Sequence, residues 1–138
     1  MRVEGSIVKV GKWCAVEIPA MNVHTQGKNM KEAYLMAADA VESLVGKEGF
    51  RAVVFPGKAG YFELGSNDEA AFFALLLKRM REKANLSLSD VQKRLGARSI
   101  NTYARYEQGS SVPTVSMFAR LVKAMAVKSD IIIGECRA

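Results

Sequence analysis

The chain has 138 residues, 49% of them apolar, two cysteines and a formal charge of +6. That is enough for one ordinary domain or two very small ones, and too apolar for a disordered chain. The longest apolar run, Ala70–Leu77, falls far short of the ~20 residues a membrane span needs, and no membrane partner is expected.

The first element alternates from Arg2 to Val10, with Val3, Gly5 and Ile7 on one side; this start reads as no signal peptide. Gly11-Lys12 suits a two-residue type II′ turn, and alternation resumes from Trp13 to Ile18 with Cys14, Val16 and Ile18 together. Pro19 ends that strand, and Asn22–Gly27 reads as a polar loop. A helix follows. Asn29 caps it, Glu32 stands where a capping box needs it, and Met30, Ala33, Tyr34, Ala37, Val41, Leu44 and Val45 form its apolar face. Gly46 and Gly49 stop it. A second hairpin runs from Arg51 to Phe55, turns around Pro56-Gly57 and returns from Tyr61 to Leu64. The order ββαββ predicts a small sheet with one helix on one face.

Gly65–Asp68 reads as a linker in which Asn67 or Asp68 caps a helix from Glu69 to about Ala84, buried through Ala70, Phe72, Phe73, Leu76, Leu77 and Met80. Ser87 caps Leu88–Leu95, with Asp90 three residues on; Gly96 turns the chain; Ser99 caps the next helix, which Gly109 stops. Pro113-Thr114 opens a helix to about Met125, with Val115, Phe118, Ala119, Val122 and Met125 inward. The Ile131–Ile133 tail reads as a last helical turn or an interface strand. The predicted fold class is α+β, with a ββαββ domain over 1–65 and an all-α domain over 69–138.

Two short helices around a glycine turn, Leu86–Gly109, are the grammar of a helix-turn-helix. Charge agrees with it. Residues 1–65 hold eight lysines and arginines against seven acids, a net of +1, whereas residues 66–138 hold twelve against seven, a net of +5. Only one half is built to meet a polyanion. On the Ser99–Gln108 helix, Tyr103 and Tyr106 share an inward face, while Asn101, Arg105 and Gln108 lie opposite with Thr102 beside them. Asn and Arg are suited to grip adenine and guanine edges through two hydrogen bonds each. Lys93, Arg94 and Arg98 flank the turn as candidate phosphate contacts.

Residues 71–134 resemble the XRE (Cro/C1-type) helix-turn-helix family across its five-helix extent. The resemblance is carried by Leu86, Ser89–Leu95, Gly96, Ser99, Tyr103, Tyr106, Glu107, Gly109 and Pro113. It implies base contacts at Ile100, Asn101 and Arg105 and an ion pair between Arg81 and Glu107. Gln92 stands where that family has a small residue, and the turn Gly96–Ser99 is one residue longer than its pattern. Residues 2–64 resemble the HicB antitoxin domain, a ββαββ unit of degenerate RNase H-like fold, through Pro19, Thr25-Gln26-Gly27 and Glu32-Ala33 opening an alanine-rich helix. That resemblance implies a HicA-like mRNA-cleaving toxin as partner, neutralised by direct binding, and a shared operon repressed through operator DNA by a homodimer or higher even oligomer. Dimerisation is expected through the last helix or the Ile131–Ile133 tail.

Two rivals stand beside this reading. One is a free-standing regulator whose N-terminal domain senses a ligand or protein. The other is a small ribonuclease using Glu4 and Glu17, should they converge from paired strands; Glu63 is another carboxylate of the domain, and Asp39 and Glu42 read as a solvated helix face. His24, the sole histidine, lacks a Ser, Cys or carboxylate motif and reads as a loop or partner contact. The expectation is no enzyme, cofactor or metal. Trp13 and Tyr61 read as core before partner contacts. Cys14 and Cys136 allow one disulfide, but thiols in a reducing cytoplasm fit better.

Overall fold

The computed structural model describes residues 1–96, 100–125, 132, 134 and 135. The chain divides into two compact units, Met1–Phe72 and Phe73 onward.

The first unit is one antiparallel sheet of β1 (Val3–Val10), β2 (Trp13–Ile18), β3 (Val23–Gly27), β4 (Ala52–Pro56) and β5 (Tyr61–Ser66), in the spatial order β3-β2-β1-β5-β4. A short 3₁₀ turn, Pro19–Met21, joins β2 to β3, and α1 (Met30–Val45) carries the chain from one sheet edge to the other. Val10 faces Trp13 across the two-residue turn, where Gly11 takes φ +59. The segment expected as a polar loop, Asn22–Gly27, is therefore largely a strand, and the unit is βββαββ rather than ββαββ. Polar composition hid it. At a sheet edge, His24 and Gln26 turn to solvent while only Val23 and Gly27 are buried, so the alternation carries little apolar signal.

Alternation gives the sheet two faces. Val3, Ile7, Cys14, Val16, Ile18, Val23, Phe62 and Leu64 are buried on the inner one, where α1 contributes Ala33, Ala37 and Val41. Two glycines let this core close. A Cβ on Gly5 would run into the Phe62 ring, and one on Gly27 into the α1 backbone at Ala33. Phe62 in turn meets Tyr34 edge-on, with ring centroids 5.8 Å apart. Met30 and Leu44, assigned to the apolar face of α1, lie near its two ends and are exposed. Trp13 and Tyr61 are also exposed, because their strand parity sends them to the outer face.

β5 runs on to Ser66, so the expected linker is partly strand. Asn67 is stitched back onto the unit: its Oδ1 accepts from the Arg51 amide at 2.8 Å and its Nδ2 donates to the Gly49 carbonyl at 2.9 Å. Asp68 caps α2 (Glu69–Lys83), accepting the Ala71 amide at 3.0 Å. That backbone bond, and next the Lys47 ammonium at 2.6 Å, hold the Asp68 carboxyl below the usual range. The β4 edge is protected against further pairing. Glu42 accepts the Ala52 amide at 3.0 Å, and Pro56 has no amide to offer.

The second unit packs the later turns of α2 with α3 (Leu88–Leu95), α4 (Ile100–Glu107) and α5 (Val115–Met125). Leu77, Val91, Tyr103, Leu121 and Met125 are its buried centre, with Phe73, Met80, Leu86, Tyr106 and Phe118 packed against them. Phe73 and Phe118 meet edge-on at 4.7 Å. Thr114 caps α5 by accepting the Met117 amide at 3.2 Å. Val115, expected inward, is 78% exposed: it sits in the first turn of α5, beyond the last core layer, and Leu121 fills the central place instead. The fifth helix and the dimerisation tail of the sequence reading fall beyond Met125; Ile131, Ile133 and Cys136 lie outside the described residues, and Ile132 is exposed.

Candidate nucleic-acid interface

A helix of eight residues such as α4 is too short to stand by itself in water, so its neighbours must hold it. Both ends of α3 are closed. The Ser87 Oγ accepts from the Asp90 amide at 3.0 Å while Asp90 accepts from the Ser87 amide at 2.8 Å, a full capping box. The backbone bond from Ser87 is the main force holding the Asp90 carboxyl below its ordinary range. At the other end Gly96 takes φ +66, the left-handed conformation glycine adopts without cost.

α4 ends the same way. Gly109 has φ +71; its amide donates to the Tyr106 carbonyl at 3.2 Å and the next amide, Ser110, reaches the Arg105 carbonyl at 3.1 Å. This double bond pattern is a Schellman stop. α2 ends likewise, with Asn85 at φ 55 and Leu86 donating to the Arg81 carbonyl at 3.1 Å.

One ion pair ties these ends together. The Arg81 Nε donates to Glu107 Oε1 at 2.6 Å and its Nη2 to Oε2 at 3.0 Å, a bidentate fork, while Nη1 donates to the Leu86 carbonyl at 2.8 Å. The pair implied by the resemblance is present, and it is nearly buried, at 15% and 9% side-chain exposure. The hydrogen bonds to Glu107 raise the Arg81 guanidinium further above its usual value. Burial above all, then the Glu107 carboxylate, pushes the Tyr103 phenol up as well; its hydroxyl also reaches the Met125 sulfur at 3.4 Å. Arg81 thus fixes the C-terminal turn of α4 against the end of α2.

The consequence is a rigid helix with one polar side presented outward. Tyr103 is buried and Tyr106 half-buried, whereas Asn101, Thr102, Arg105 and Gln108 are all exposed. Of the proposed base contacts, Ile100 is described by its backbone alone, where it opens α4. Lys93 is exposed on the last turn of α3. Arg94 has a structural bond: its Nη1 donates to the Ala124 carbonyl at 2.8 Å, at the end of α5. Arg120 does the reverse, donating from Nη2 to the Leu95 carbonyl at 3.0 Å at the end of α3. Each arginine thus caps the other helix's C-terminus, where a cation meets the negative end of the dipole. Arg120 was absent from the sequence reading; a basic residue one helix away gives no local spacing to detect. Arg98 and Ser99 lie outside the described residues.

Glu4, Glu17 and Glu63 lie on one face of the first unit's sheet. Glu4 and Glu63 face each other across β1 and β5, and Glu17 faces Ser6. Among the described residues no group of three His, Cys, Asp or Glu is placed to hold a metal ion, and no helix is long and apolar enough to cross a membrane. Cys14 is buried as a free thiol.

Residues 73–130 match the family model of a helix-turn-helix domain, the kind of domain that binds DNA. No curated protein and no solved structure matches the chain.

Proposed function

We propose that the chain is a HicB-type antitoxin: its first unit binds and occludes a HicA-like mRNA-cleaving toxin, and its second, of XRE type, represses the shared operon. The outward polar side of α4, held by the Arg81–Glu107 fork, carries the DNA half of this reading. Asn101 and Arg105 read base edges in the major groove, Thr102 and Gln108 flank them, and Lys93 adds a phosphate contact. A homodimer presents two such helices to half-sites one helical turn apart. The toxin half rests on the resemblance of the first unit and on its place before a DNA-binding domain. The protein acts by binding and not by catalysis, in the cytoplasm, and needs no cofactor.

The reading requires a small basic protein encoded beside this chain; the test looks for that gene and co-expresses its product with the full chain, and a native locus without one ends the antitoxin reading. The full chain is expected to form a stable complex with that product, to suppress its RNA cleavage and to bind the DNA upstream of the pair. Arg105→Ala should weaken operator binding by about 1–3 kcal/mol and leave suppression of cleavage intact. A chain that binds the DNA but never the neighbouring protein is a free-standing regulator, and the antitoxin reading ends there.

A further inference from the structure

The inner face of the first unit's sheet is closed by α1, but the outer face is not the polar surface an exposed sheet face ordinarily carries. Val8, Val10, Trp13 and Tyr61 stand there 60%, 59%, 42% and 57% exposed. Register joins them into one patch. Val10 faces Trp13 across β1 and β2, and Tyr61 on β5 faces Ser6, two residues along β1 from Val8. Clustered large apolar side chains in water mark an interaction surface.

The other end of the same face is acidic. Glu4 lies directly opposite Glu63, and Glu17 borders the apolar patch in the row of Tyr61, with Ser6 on one side of it and His24 on the other. Like charges set opposite one another weaken a sheet. Arg2 offsets part of this, binding Glu63 at 2.9 Å and stacking over the Phe55 ring at 3.4 Å. That guanidinium is thereby engaged, which leaves Glu4 and Glu17 exposed on the face as carboxylates that an incoming cation can reach, with His24 opposite Glu17 on β3.

We infer that this outer face is the docking surface for a basic protein. Its apolar end takes the partner's nonpolar centre, and Glu4 and Glu17 take flanking lysines or arginines. The inference rests on the reading above that the first unit holds a protein partner, and it adds where and by what chemistry. An RNA-cleaving partner must carry cations for its substrate's phosphates. Carboxylates that engage those cations hold the partner and exclude RNA in one contact.

The experiment uses the full-length chain, a catalytically silent form of the basic protein that the preceding test identifies, and calorimetric titration. Trp13→Ala should weaken the complex by roughly 30-fold. Glu4→Lys with Glu17→Lys should weaken the complex at low salt and flatten the salt dependence of its affinity, while Glu4→Gln with Glu17→Gln, a gentler pair, moves both in the same direction. Lys31→Glu, on the exposed side of α1, should change nothing. Unaltered helical signal and melting would show that the variants fold. If the wild-type chain binds the partner and the outer-face variants bind within about twofold of it, docking is elsewhere and the antitoxin reading survives alone. If the wild-type chain does not bind the partner, both ideas fall. If Trp13→Ala instead converts an oligomer of this chain to monomer with partner binding unchanged, a second copy occupies the face and the inference is overturned.

Discussion

The two units reach a packed core by different means. In the first, a sheet and a helix are brought close by two positions without a side chain, and its ion pairs are mostly exposed: the ammonium of Lys47 on Asp68 and the guanidinium of Arg51 near Glu42 are 60% and 69% open to solvent. Such pairs contribute little. In the second, short helices are sealed at their ends by left-handed residues and locked by one nearly buried fork. The first should therefore be sensitive to added volume, the second to a lost charge. The difference also bears on function, because a held α4 lowers the backbone ordering cost of binding and leaves only that of its exposed side chains.

The largest effect expected is from Glu107→Ala. It leaves Arg81 nearly buried without its carboxylate, and breaking such a pair costs about 3 kcal/mol, a large part of a small domain's stability. The chain's single tryptophan, Trp13, lies in the first unit, so its fluorescence follows that unit alone. The part of the helical circular dichroism that the second unit supplies should melt earlier in the variant, while α1 and the Trp13 transition stay in place. If both transitions shift together, the units unfold as one and the contrast drawn here is wrong.

Gly27→Ala is the mirror experiment. The new Cβ meets backbone at Ala33 and Glu32, which cannot swing aside as a side chain tip could. Overpacking of this kind costs about 2 kcal/mol. Here the Trp13 transition should fall and operator binding should persist. A variant as stable as the parent would show that α1 can lift off the sheet, and that close approach at Gly27 matters little.

The sequence was most legible where structure is local. Ser87, Asp90, Gly96 and Gly109 act within a few residues, the first two opening a helix and the glycines closing one, as their spacing predicts. The Arg81–Glu107 pair spans 26 residues and was reached only through the family resemblance, never from spacing. β3 was missed because an edge strand needs only half its residues to be apolar, and His24, Thr25 and Gln26 are not. Trp13 and Tyr61 were read as core because the type of a residue says nothing of which sheet face it takes; only the register with Val10 and Ser6 settles that. The α4 face was legible because helical period alone sorts Tyr103 from Arg105.

The smallest effect tests a device both units share. Ser87→Ala removes one arm of the α3 capping box and should cost about 1 kcal/mol, seen in the helical transition and not in that of Trp13. The other arm is the Asp90 carboxylate, whose folded-state value lies below the ordinary 3.8 because the Ser87 amide donates to its charged form. A depressed carboxyl stabilises the fold at pH above its unfolded value, and that contribution drains away as pH falls through the lower, folded value. Asp68, capping α2 through the Ala71 amide, has the same sign. Acid titration below about pH 4 should therefore weaken both units, Asp90→Asn flattening the response of the helical signal and Asp68→Asn that of Trp13. If Asp90→Asn flattens the Trp13 response instead, the cap of α3 is felt across the whole chain, and the two units share one cooperative transition.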